Sequence, residues 1–272
     1  MLADAVAAEA NRLWHNRSAR FWGFAFLPIA LLIFNLALDT YLRARIGTGV
    51  GINLGLQILR GMDAAGSVFF QIFFALGAGA IFAGDYRWET WRLIGPRNTR
   101  ANLLLAKFAV FGLASAGSLV ALGLMGIAHA LYGSALNGTA LILPPPHFVL
   151  RLVGVFASSW LELMVLGSVT ALFAVITRAM IGAAMAAIMF GFFQAAVLTQ
   201  ISIAGASTAS LALLPHLAAE TLGAYTAGRE IAPNLFVDPQ SAAIAAIALI
   251  GWIVVVGTVA IVLFQRQDLS RE

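Results

Sequence analysis

The chain contains no cysteine, which excludes disulfides, thiolate zinc sites and thiol nucleophiles. Lysine is almost as scarce: Lys107 is the only one in 272 residues. A P-loop needs a lysine behind a glycine-rich loop, but Lys107 follows Leu105-Ala106 and precedes Phe108, so the chain cannot hydrolyse ATP through one. Charge of either sign is thin, at 10% of residues against roughly 25% in a soluble domain. The histidines include no His-x3-His pair and no HExxH motif, so no metal site is expected, and they read as isolated interfacial residues. A pI near 10.1 does not mark a nucleic-acid binder, because the arginines stand around apolar runs and form no basic face.

What fills the chain is apolar surface, with 61% hydrophobic residues and a mean hydropathy of +0.92. A soluble protein of this size needs far more charge to cover itself, so the sequence reads as an integral membrane protein. A hydrocarbon core of about 30 Å takes roughly 20 helical residues. Six stretches qualify, at about 21–38, 64–84, 103–131, 152–177, 179–201 and 241–264. Their continuity rules out barrel strands, which alternate. The expected fold is all-α: an N-terminal interfacial helix over 1–20, a six-span domain over 21–264 and a tail over 265–272. Leu2, Val6, Ala10 and Leu13 form the apolar stripe of the first helix, opposite Asp4, Asn11, Arg12 and His15. A frayed tail is the alternative.

Orientation follows from Lys and Arg near the span ends. With the N-terminus in the cytoplasm, eleven of them lie inside and five (Arg43, Arg45, Arg60, Arg151, Arg229) outside, so both termini are expected to be cytoplasmic. The outer loop 39–63 holds Gly47, Gly49, Gly51 and Gly55, and its apolar part is too short and glycine-rich to span. Pro144, Pro145 and Pro146 make a stiff outer turn. The outer loop 202–240 begins apolar and turns polar, which suits either a half-span dipping back into the membrane or a surface helix.

The densest polar cluster is Gly84 to Lys107, GDYRWETWRLIGPRNTRANLLLAK. Charges at Asp85, Arg87, Glu89, Arg92, Arg97 and Arg100 alternate with Tyr86, Trp88 and Trp91, residue types that anchor protein interfaces. An ordinary headgroup belt is the bland reading. Asn98 or Thr99 is placed to cap the third span. In order, Asp85, Thr90, Pro96, Arg100 and Lys107 resemble the signature of ABC-2 type transport permeases, six-span exporter subunits driven by a separate ATPase. Glu89 stands where that family usually has Gly. The wording Tyr86 to Trp91 is most similar to the lantibiotic-immunity and bacitracin-type branch.

The resemblance implies that 85–100 is a cytoplasmic coupling helix seated on the ATPase. Asp85, Tyr86, Arg87, Trp88, Glu89, Thr90, Trp91, Arg92, Pro96, Arg100 and Lys107 would be the coupling residues. It further implies a dimer with a second permease copy, two ATPase subunits that carry ATP and Mg, and a bacterial inner membrane. The cargo would be an amphipathic, lipid-like or peptide substrate moved outward.

Glu162 lies near the middle of the fourth span, where a charge costs about 2.5–3.5 kcal/mol to insert. It reads either as a substrate-path or proton contact, or as a structural acid bonded to a neighbouring span. Gln71, Gln194, Gln200 and Asn35 read as interhelical hydrogen-bonders. A membrane enzyme using Glu162 and His129 would have them about 15 Å apart in depth, too far for direct cooperation. A motor-free secondary transporter should show several buried ionisable groups or broken spans. The sequence offers only Glu162.

Overall fold

The computed structural model describes residues 2–46, 52–87, 98–204, 208–227 and 238–267. The described elements are α1 (Leu2–His15), α2 (Arg17–Arg20), a π-helical turn (Phe21–Ala25), α3 (Phe26–Ile46), β1 (Ile52–Asn53), α4 (Leu54–Asp63) and α5 (Val68–Arg87). They continue with α6 (Arg100–Asn137), β2 (Leu141–Ile142), α7 (Phe148–Thr177), α8 (Met180–Ala204), α9 (Thr208–Leu213), α10 (Pro215–Ala227) and α11 (Pro239–Arg266). Six helices are long and apolar enough to cross a membrane: Arg17–Arg45, Val68–Tyr86, Arg100–Asn137, Phe148–Thr177, Met180–Gln200 and Pro239–Arg266. Several are longer than the apolar runs suggest. The third reaches 38 residues, because polar caps and not hydropathy set its ends: Thr99 Oγ1 accepts from Asn102 N–H at the start, and Gly138 at φ 61° closes it.

The first span is continuous through Pro28 because its broken hydrogen bond is repaired. Proline has no N–H for the carbonyl of Phe24, four residues back. Ser118 on α6 donates to that carbonyl instead, at 2.7 Å, and the π turn absorbs the local distortion. The same stretch approaches α5 closely. A Cβ on Gly23 would lie 2.6 Å from the Gly77 backbone, so only glycine fits there.

Two departures from the sequence reading shape the middle of the bundle. The segment 39–63 between the first two spans contains α4, which runs antiparallel along α6. Gly133 abuts Ile52, Gly126 the Gln57 carbonyl, and Gly61 the Leu122 carbonyl. Only Ala64–Ser67 separate α4 from α5, which continues to Ile81 beside Lys107. Helix α4 thus packs just ahead of the second span, which is itself continuous over Val68–Tyr86, and is held at its start by a two-residue parallel pairing of β1 with β2.

The second departure settles the 202–240 alternatives. His216, Gly223 and Thr226 on α10 lie beside Glu162, Ser158 and Gly154 on α7, so α10 is antiparallel to α7 and embedded among long helices. Ala218 and Ala219 also pack with Ala245 and Leu249 of α11. Residues 208–227 are therefore a helix–turn–helix lodged in the bundle, not a surface helix. The turn falls at Leu214 because the residue before proline is pushed out of the helical region.

The N-terminal helix forms over Leu2–His15, but its buried face is not the expected stripe. Ala5 and Glu9 face the bundle with Val6 and Leu13 beside them, while Leu2 is exposed. The cause is electrostatic: an acid on this helix has partners inside.

Candidate functional site

Two polar centres lie in the described structure, one near each end of α5. The first is at the end that carries both termini. Lys107 is fully buried, with Nζ 2.7 Å from Asp85 Oδ2, 3.2 Å from Glu9 Oε2 and 2.6 Å from the Ile81 carbonyl. Arg12 pairs with both Asp85 and Glu9. Among the described residues, two acids and two bases thus meet here, with Lys107, Asp85 and Glu9 buried and Arg12 partly exposed. The knot joins α1, α5 and α6. Nearby, Arg100 donates to the carbonyls of Phe264, Gln265 and Gln267, where α11 ends and its dipole favours a cation. Tyr86 donates to Gln267 Oε1 at 2.8 Å, and Gln267 Nε2 donates to the Val175 carbonyl at 3.1 Å.

Of the coupling residues expected from the sequence, Asp85, Tyr86, Arg100 and Lys107 come together in this region. Arg87 ends α5. Trp88, Glu89, Thr90, Trp91, Arg92 and Pro96 lie outside the described residues. Sequence reasoning missed Glu9 and Arg12, the partners that complete the charge balance. The signal was available: an acid and a base one turn apart on a helix otherwise read as amphipathic.

The second centre surrounds Glu162, which is 7% exposed. Its Oε1 accepts from Gln71 Nε2 at 2.8 Å and lies 2.7 Å from His216 Nδ1. Gln194 Oε1 accepts the backbone N–H of His216 at 2.8 Å, which satisfies one donor at the start of α10. Gln71 also reaches the Gly66 carbonyl at 3.0 Å, at the break before α5. Glu162 therefore sits where α5 and α10 both begin, and both helix starts favour negative charge. The centre borders a cavity of about 390 Å³ lined by Asp63, Ser67, Ser159, Glu162, His216 and Glu220, among others.

The histidines correct the expectation of isolated residues, since His129 also pairs with an acid, Asp39, at 2.8 Å. The Asp39–His129 pair lines a separate cavity of about 410 Å³ with Arg60, Asn35 and Gln57. The view that Glu162 is the lone buried ionisable group is overturned as well, since Glu9, Asp85 and Lys107 are buried too. Gln71 and Gln194 make the expected interhelical bonds, and Asn35 contacts Met125 Sδ at 3.8 Å, whereas Gln200 is exposed. No group of three or more His, Asp or Glu gathers in metal-binding geometry among the described residues.

Fold and sites together define an all-α, multi-pass membrane protein with two buried polar centres joined by α5. No family model matches the chain, and no curated protein matches it.

Proposed function

We propose that the chain is the membrane-spanning subunit of an ABC-type exporter, working as a dimer with two separate ATPase subunits. On this reading it lies in a bacterial inner membrane with both termini cytoplasmic, as the distribution of Arg and Lys favours. The observation that carries the proposal is the buried knot of Lys107, Asp85, Glu9 and Arg12. It stands beside the start of the segment that resembles a coupling helix, and clamps α1, α5 and α6 together. A push on residues 88–97 would then move three helices as one body, while Arg100 passes it to the end of α11. Exposed apolar side chains such as Ile29, Met189 and Val255 suit lipid contact and an amphipathic cargo.

The test is gentle purification from the native host followed by native mass spectrometry. Two copies of this chain with two Walker-A-bearing proteins are expected, and the double variant Trp88→Ala/Trp91→Ala should lose the ATPase while staying folded. A reproducible complex without an ATPase sinks the proposal.

A second reading, a transporter without a motor, is favoured by the two helix starts, of α5 and α10, that meet beside buried Glu162, an arrangement that such transporters use for binding. Uptake or efflux by the chain alone in proteoliposomes, driven only by an ion gradient, would select it. An enzyme built on Glu162 and His216 is less well supported, since no serine hydroxyl bonds to the imidazole among the described residues.

A further inference from the structure

Along α6, Ala114, Gly117 and Ala121 fall three and four residues apart, so one stripe of the helix carries almost no side-chain bulk. A Cβ on Gly117 would meet nothing within 4 Å. The first span runs parallel to α6, with Phe24 level with Ser118, Asn35 with Met125 and Asp39 with His129. Helix α1 closes the side nearer Lys107, where Leu13 and Trp14 form the wall. These surfaces enclose an open groove of about 420 Å³, within the range of small-molecule sites. It follows α6 from Val110 to Ala121, a length of about 16 Å. That is the depth of one leaflet of a hydrocarbon core about 30 Å thick.

The two ends of the groove differ in chemistry. Arg20 lines it one turn before Phe24, and therefore towards the Lys107 end. Its Nη1 donates to the Trp14 carbonyl at 3.1 Å, and its guanidinium carbon stands 4.4 Å from the centre of the Trp14 ring. Those contacts aim the group without neutralising it, and further N–H donors remain on its fork. Arg17 lies three residues earlier on the same short helix, so it shares that face, and it is exposed. Neither arginine pairs with an acid among the described residues, and the described lining of the groove contains no acid. Beyond Arg20 the walls are apolar. The hydroxyl there, on Ser118, is already committed to the Phe24 carbonyl.

We infer that this groove holds one anionic phospholipid, its phosphate at Arg20 and Arg17 and one acyl chain lying along Gly117 between α6 and the first span. Arginine beside tryptophan is the usual chemistry of headgroup depth, and the apolar run of one leaflet's length accounts for the chain. Guanidinium groups take phosphate oxygens by paired, charge-assisted hydrogen bonds. A zwitterionic headgroup brings its own cation and gains less from the two arginines. The inference goes beyond the transport reading, since it needs neither an ATPase nor a cargo.

The experiment uses the full chain purified in mild detergent and stripped of lipid. Native mass spectrometry and thermal unfolding follow it against dioleoylphosphatidylglycerol, dioleoylphosphatidylcholine and chain-free glycerol phosphate. One phosphatidylglycerol per copy is expected to bind saturably and raise Tm. Phosphatidylcholine should bind at least fivefold more weakly, and glycerol phosphate should have no effect. Arg20→Gln should erase the preference between the two lipids, and Arg17→Gln should reduce it. Gly117→Leu should fill the groove and abolish tight binding. Gly251→Leu, at another glycine with nothing within 4 Å, should leave it unchanged. Should Gly117→Leu fail to fold, the arginine variants and the chain-free probe decide. Equal binding of both lipids by the native chain, stabilisation by glycerol phosphate alone, or tight lipid binding retained in Gly117→Leu overturns the inference. So does a Gly117→Leu variant that loses a dimer while keeping its lipid, which would assign the groove to a second copy. Presence or absence of a co-purifying ATPase bears on the transport reading alone.

Discussion

Replacing Lys107 with methionine tests whether the buried knot holds α1 to the bundle. Among the described residues, Glu9 and Asp85 pair with Arg12 and Lys107. Methionine fills nearly the same volume, so little cavity is left and the loss is mainly electrostatic. Without Nζ, Asp85 and Glu9 both lose a buried cation, and the Ile81 carbonyl loses its 2.6 Å donor. Removing one partner of a buried pair costs roughly 3–5 kcal/mol. In a chain of this size that lowers Tm by on the order of 10 °C. The readouts are thermal unfolding in nanodiscs and amide exchange over residues 2–15, which should become fast as α1 lifts away. Adding Glu9→Gln removes one of the two acids that lost this cation and should recover half or more of the lost stability. A Tm within about 2 °C of wild type, with α1 still protected, would refute the argument. So would a double variant worse than the sum of the singles.

Other outcomes follow from single contacts. Gly126→Ala puts a Cβ 2.4 Å from the Gln57 carbonyl and 2.8 Å from Ile58 Cα, both backbone, so α4 must shift. A loss of roughly 1–3 kcal/mol is expected, whereas Gly117→Ala, with nothing within 4 Å inside the same helix, should cost nothing and gain up to about 1 kcal/mol of helix propensity. Arg100→Gln withdraws the cation from the end of α11 and should cost about 1 kcal/mol, visible as fraying of its last turn by amide exchange. His216→Gln removes the 2.7 Å partner of Glu162 Oε1 and should lower stability by roughly 1–3 kcal/mol, read as a lower Tm.

The six spans were legible because hydropathy and length act locally: a run such as 241–264 has to cross. Their ends were not, since Thr99, Gly138 and Asp238 fix them by hydrogen bonds outside the apolar run. Helix α4 was hidden by the glycines that make it possible. Gly55 and Gly61 lower helix propensity in isolation, but Gly61 lets α4 press against the α6 backbone. Glu162 announced itself as an acid in an apolar run. Its partners Gln71 and His216 lie 91 and 54 residues away, so the pairing depends on which helices touch. The same holds for Glu9 and Lys107, 98 residues apart. Tertiary contact, not local pattern, assembles both polar centres.

Helix α6 gains a further meaning from its length. At 38 residues it measures about 57 Å, almost twice the hydrocarbon thickness of about 30 Å. Lys107 sits near one end and His129 near the other, about 33 Å apart along one unbroken rod. The first span, by contrast, carries a π turn, and a short turn at Ala64–Ser67 separates α4 from α5. The rod is the stiff member and its neighbours are the jointed ones. A tilt imposed at the Lys107 end reappears at the Asp39–His129 end as a sideways swing, without any side chain in between changing partners. The protein thus has a built-in beam, whose fulcrum lies where Ser118 grips the first span beside Pro28.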